Sequence, residues 1–125
     1  MKKQPWKMAR KDAVDWMSTA VEGGISYWMN ESCTNVTVER SKDFGEGDPA
    51  TWEYLSVSFQ DEDGNDLIVT VDKMVEESTE YLYWLIENHP RRIPNFVQST
   101  DESNFDAEDA DCYFQWLAFG DYVYG

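Results

Sequence analysis

The sequence predicts an α+β domain in the order α-β-β-β-α-α, a three-stranded antiparallel β-meander with helices packed on one face. Three patterns carry that expectation. Apolar residues between positions 11 and 29 recur every three or four residues, the apolar period shortens to two between 32 and 71, and helical spacing then returns twice before position 119.

The first helix is expected over 11–29, where Val14, Met17, Val21, Ile25 and Trp28 form one stripe. Gly23-Gly24 interrupts it. Paired glycines cost helix stability, so either the helix ends there or another backbone packs very closely against it. The spacing favours a helix that continues or restarts briefly through Ile25 to Met29. From Ser32, the run containing Cys33, Val36 and Val38 reads as a first strand ending near Arg40. The stretch 43–49 is loop by composition. Tyr54, Leu55, Val57 and Phe59 then make a second strand, and Leu67, Ile68, Val69 and Val71 a third. The Asp-Gly turn between them marks a hairpin. A second helix follows from about Asp72 to Asn88, with Val71, Val75, Leu82, Leu85 and Ile86 inward, and His89-Pro90 stops it. Residues 89–103 read as a connection. The third helix runs from about Asp106 to Phe119, with Asp106 as N-cap, Ala110, Phe114 and Leu117 buried, and Gly120 as C-cap.

Composition bounds the class. At 125 residues the chain makes a single domain, 1–125. It holds 25 Asp and Glu against 10 Lys and Arg, a net charge of -15. Residues 1–12 form a basic N-terminal segment, in which Lys2, Lys3, Lys7, Arg10 and Lys11 face the single acid Asp12. The body beyond it carries 24 acids and five bases, and so stands at -19. Six Trp, seven Tyr and six Phe are far too many for a solvated acidic tail. A folded body has kept a self-repelling surface, which calls for a partner with a positively charged site. Nucleic acid and anionic lipid carry the wrong sign to be direct partners. No apolar run is long enough to span a membrane, the basic N-terminus does not read as a signal peptide, and Cys33 and Cys112 have no metal spacing. Cytoplasmic residence is the expectation.

Chemistry-bearing constellations are few. The loop Asp61 to Asp66 resembles a calcium loop in composition alone, because with Gly64 in the glycine position Phe59 and Thr70 would fall on ligand positions. His89 is the single histidine, beside a proline at a helix end, and no nucleophile has a base to activate it. The expectation is a protein that is not an enzyme and takes no metal or cofactor. What remains is the arrangement of acids. Asp61, Glu62, Asp63 and Asp66 load the hairpin. Glu76, Glu80 and Glu87 lie along one outward helix face with Tyr83 among them, and Asp101 and Glu102 precede the third helix. Glu76 and Glu80 differ by a rise of about 6 Å, close to the separation of successive phosphates. Acids in the first turn of the third helix suit its dipole, whereas Asp111 has no such local reason. Tyr83 and Trp52 are candidate anchors.

Two stretches carry a resemblance. Ala20-Val21-Glu22-Gly23-Gly24-Ile25-Ser26-Tyr27-Trp28 resembles an EGGI-x-YW helix of small proteins encoded by bacteriophages and other mobile elements. The acidic helix from Asp106-Ala107-Glu108-Asp109-Ala110-Asp111, with its ending Phe119-Gly120-Asp121-Tyr122-Val123-Tyr124-Gly125, resembles the same group. Most such proteins lack an assigned function, so the resemblance implies an origin and no catalytic residue. In size and charge the chain is similar to phage inhibitors that imitate nucleic acid, including anti-restriction and anti-CRISPR proteins. That similarity implies a monomer or homodimer that blocks the basic groove of a host nucleic-acid-binding protein or complex. Three other readings compete with it. Charge could serve solubility alone. An aromatic face around Trp16, Tyr27 and Trp28 could make a homo-oligomer. Residues 1–12 with Arg40, Arg91 and Arg92 could build a cationic pocket for a small ligand.

Overall fold

The structure, a computed structural model, describes residues 6–41, 53–97 and 106–125. Helix α1 (Arg10–Thr19) passes directly into a π-helical turn (Ala20–Gly24), and α2 (Ser26–Ser32) completes the segment. The glycine pair therefore does not end the helical run. It widens one turn, and Gly24 is the reason this fits: a Cβ there would lie 2.6 Å from the carbonyl oxygen of Ala107. Another backbone does pack against this point. The helical run also extends beyond Met29 through Ser32, so the first strand begins two residues later than the period suggested.

The strands are β1 (Thr34–Arg40), β2 (Tyr54–Gln60) and β3 (Asp66–Thr70), an antiparallel sheet in the order β1-β2-β3. Val57 pairs with Val38 and Val69, and Phe59 with Leu67, so these side chains share the face that meets the helices. Ser58 and Ile68 pair on the opposite face, where Ile68 is exposed. The loop region 43–49 lies outside the described residues.

The expected second helix is two, α3 (Val71–Glu76) and α4 (Ser78–Asn88). Backbone bonds from Glu77 N to Lys73 O and from Tyr81 N to Glu77 O carry the helical register across the break. The inward stripe is Val71, Met74, Ser78, Tyr81 and Leu85; Val75 and Leu82 are only half-buried, and Ile86 is exposed. Ser78 accounts for the difference from the expected stripe. A polar residue at the centre of the stripe hides it from an apolar pattern. Its hydroxyl accepts from Met8 N at 2.9 Å and donates to Val75 O at 2.8 Å, a back-bond of the kind that bends helices. Thr79 donates to Trp6 O at 2.6 Å, so residues 6–8 are tied onto this corner, with Met8 buried.

The connection after His89 holds a 3-10 turn (Pro90–Arg92) and a short helix α5 (Ile93–Val97) that buries Phe96. Helix α6 (Ala107–Phe119) has the expected caps, a reciprocal Asp106–Asp109 capping box and Gly120 in the left-handed region at φ 79°. It is buried on more than one side. Cys112, Tyr113 and Gln115 are enclosed along with Ala110, Phe114 and Leu117, so α6 is the axis of the core. Around it Trp16, Phe96, Tyr81 and Tyr113 stack and meet edge to face at 4.5 to 5.9 Å.

Candidate partner-binding surface

Folding divides the acids into those with structural work and those without. Asp111 belongs to the first group. It is 4% exposed, and its carboxylate accepts from Trp28 Nε1 at 2.7 Å, Tyr27 Oη at 2.8 Å and Gln115 Nε2 at 2.9 Å. Gln115 in turn binds the C-terminal tail: its Oε1 accepts from Val123 N and Tyr124 N, and its Nε2 also donates to Tyr124 O. Tyr124 stacks on Trp28 with centroids 4.8 Å apart. A buried carboxylate thus organises the joint between α2, α6 and the tail. Its partner Tyr27 has its hydroxyl pushed up to about 12, by burial first and then by the hydrogen bond to Asp111. Asp109 likewise works locally, accepting from Asn95 and Arg92 and closing the capping box. Burial raises its carboxyl, and the Asn95 bond opposes that shift.

The hairpin acids divide too. Asp61 accepts from Asn65 N at 2.9 Å and Asp63 N at 3.0 Å, and bonds to Asn65 from the backbone and side chain lower its carboxyl. It therefore holds the turn, in which Gly64 takes φ 82°. Asp66 accepts from Gln60 Nε2, and Glu62 from the Tyr124 hydroxyl at 3.2 Å. Asp63 is exposed, with no side-chain bond among the described residues.

On α3 and α4 the outcome differs. Glu76, Glu80 and Glu87 are all exposed. The ion pairs among the described residues are Arg10–Glu53, Lys73–Glu77, Arg92–Glu108 and Arg92–Asp109, and none of them reaches this stripe. Tyr83 lies within it at 57% exposure, and Ile86, expected inward, stands beside it at 53%. Asp72, one helical step before Glu76, is exposed on the same line. The 4-4-3-4 spacing of 72, 76, 80, 83 and 87 was readable in the sequence, but the exposure of Ile86 was not.

The hairpin acids and the helix acids stand on separate elements. Chain direction leads away from the hairpin along β3 and back along α3–α4. The tail marks the return, since Tyr122 packs on Trp84 and His89 at 5.0 and 4.7 Å while Tyr124 reaches Glu62. Asp101, Glu102 and the candidate anchor Trp52 lie outside the described residues.

The competing surfaces fare differently. Trp16 and Trp28 are 1% and 2% exposed, core residues that cannot form an outward aromatic face, while the exposed Tyr27 spends its hydroxyl on Asp111. Three of the arginines already have partners. Arg10 pairs with Glu53, Arg40 lies over the Tyr54 ring at 5.2 Å, and Arg92 pairs with Glu108 and Asp109. A cleft of about 500 Å³ between Gly24, Tyr27, Cys112, Tyr122 and Tyr124 has Arg92 as its cation, already paired with two carboxylates. No metal-ligating cluster occurs among the described residues, and no helix there is long and apolar enough to cross a membrane. No protein-family model matches the chain, and neither a curated protein nor a solved structure does so.

Proposed function

We propose that this protein is a non-enzymatic inhibitor of phage type, which blocks the basic nucleic-acid groove of a host defence protein by presenting carboxylates in place of phosphates. The observation that carries the reading is the unrelieved stripe of Glu76, Glu80 and Glu87. Like charges four residues apart weaken an isolated helix. Several other acids on the described surface are bonded or paired, whereas no ion pair among the described residues reaches these three, which share one helix face. A rise of about 6 Å between Glu76 and Glu80 matches the phosphate repeat. Steering by such a surface speeds encounter with a cationic groove.

The test is capture of partners from host lysate by the tagged protein at low and high salt, followed by competition with duplex DNA. Recovery of a nuclease or other nucleic-acid-binding defence protein, released by salt and by DNA, is the expected result. A partner held equally tightly in high salt, or indifferent to DNA, would overturn the mimicry.

A further inference from the structure

Two apolar side chains sit where a purely electrostatic surface has no use for them. Tyr83 and Ile86 are three residues apart on α4, hence neighbours on one side of the helix, and more than half of each is exposed. Single exposed apolar residues are ordinary. Here two adjoin, and Glu80 and Glu87 lie next to them along the helix, with Glu76 one turn before. An apolar pair with acids along one side is a layout suited to protein docking, in which the apolar groups supply binding energy and the charges supply orientation.

Charge selects the occupant. A second copy placed face to face would set glutamate stripes against each other, so this face repels itself. Nucleic acid and anionic lipid share its sign. A simple polycation would satisfy the carboxylates and leave Tyr83 and Ile86 in water. Resting on the inhibitor reading, we infer that the α3–α4 face docks onto a protein surface whose Lys and Arg residues flank an apolar pocket, with Tyr83 and Ile86 as the anchors that enter it. The imitation of nucleic acid is then partial. The carboxylates compete for the phosphate sites, and the two side chains add contacts that a phosphate backbone does not make.

Two synthetic probes separate this from simple charge attraction: a basic amphipathic helical peptide of Lys and Leu, and an oligolysine of equal charge. Titration of the isotope-labelled protein followed by NMR gives both affinity and location. The amphipathic peptide is expected to bind at least about tenfold tighter, a difference of about 1.4 kcal/mol, and to shift the amides around Tyr83 and Ile86. Tyr83→Ser with Ile86→Ser, both at exposed positions, is expected to remove that advantage and leave oligolysine binding unchanged. Glu76→Gln, Glu80→Gln and Glu87→Gln together are expected to weaken both peptides. Equal affinity for the two probes, or shifts centred on the hairpin, would overturn the inference. The two readings fail separately. A DNA-competed partner whose binding ignores Tyr83→Ser/Ile86→Ser defeats the anchors alone, whereas peptide docking at this face by a protein whose captured partner ignores DNA defeats the mimicry alone.

Discussion

Substituting the two adjacent glycines by alanine should move stability in opposite directions. At Gly24 a Cβ would come within 2.6 Å of Ala107 O and 3.4 Å of Asp111 Cβ and N, whereas at Gly23 nothing lies within 4 Å. The Ala107 oxygen belongs to the backbone at the start of α6, and so it cannot rotate away as a side-chain end could. Relief requires α6 to withdraw from the π turn, disturbing the helix that organises the core. Overpacking of this kind costs about 1–3 kcal/mol, against a gain of up to ~1 kcal/mol from replacing a helical glycine. Gly24→Ala should therefore be destabilised by about 1–2 kcal/mol, which lowers Tm by roughly 3–8 °C for a chain of this size. Gly23→Ala receives the propensity gain without the collision and should be stabilised by about 0.4–1 kcal/mol. Urea unfolding of both variants beside the parent measures the pair, and Gly23→Ala calibrates the propensity contribution. A Gly24→Ala protein as stable as the parent would refute the close approach as the reason for this glycine.

Other expectations follow from the same geometry. Asp111→Asn keeps the shape but turns an amide towards the donors from Tyr27, Trp28 and Gln115, and should cost about 2–3 kcal/mol; unchanged stability and an unchanged near-ultraviolet Trp signal would count against the buried-carboxylate joint. Cys112 is buried, and burial pushes its thiol from 9.0 up to about 11, so alkylation at neutral pH should reach Cys33 first and Cys112 more slowly. Because Cys112 and Tyr27 keep their protons longer folded than unfolded, stability should fall as pH rises from about 9 towards 12, read as a declining urea midpoint; a flat midpoint across that window would contradict the burial of Cys112 and the bond of Tyr27 to Asp111. Moving the charge with Glu76→Gln, Glu80→Gln and Glu87→Gln offset by Asn30→Glu, Thr34→Glu and Thr37→Glu should preserve solubility and lose partner capture, whereas retained capture would leave only net charge at work.

Much of the fold was readable because its signals are local. The β-meander, the Asp-Gly turn and both caps of α6 each depend on residues within a few positions of one another, and the structure contains them all, with the first strand starting two residues later and Val71 opening α3 instead of ending the third strand. Errors arose where a local signal had a distant cause. Ser78 breaks the apolar stripe of α3–α4 because its hydroxyl serves Met8, seventy residues away in the chain. Hydrophobicity predicts Ile86 inward, but the turn at Glu77 and the true stripe through Tyr81 and Leu85 leave it outside. Asp111 looked like surplus surface charge, since nothing in its neighbourhood of sequence shows that Tyr27 and Trp28 will bring donors to it. Trp28 could be placed on a helix stripe, but neither it nor Trp16 could be assigned to core or interface, because the pattern alone does not say what covers a stripe.

That distinction bears on the acidic excess itself. Net charge is a sum over carboxylates in unlike situations, and the fold consumes a good share of them. Asp61 holds a turn, Asp109 a cap and Asp111 a buried joint, while Glu53, Glu77 and Glu108 have cations. Solubility would be served by charge anywhere on the surface, and it gives no reason for Tyr83 and Ile86 to stand exposed beside glutamates. A nucleic-acid mimic made only of carboxylates would bind any sufficiently basic surface, with specificity limited to the spacing of charge. On the proposed reading, apolar anchors at the stripe would supply what charge lacks, a requirement for shape, and would make the helix face rather than the total of -15 the feature on which selectivity turns.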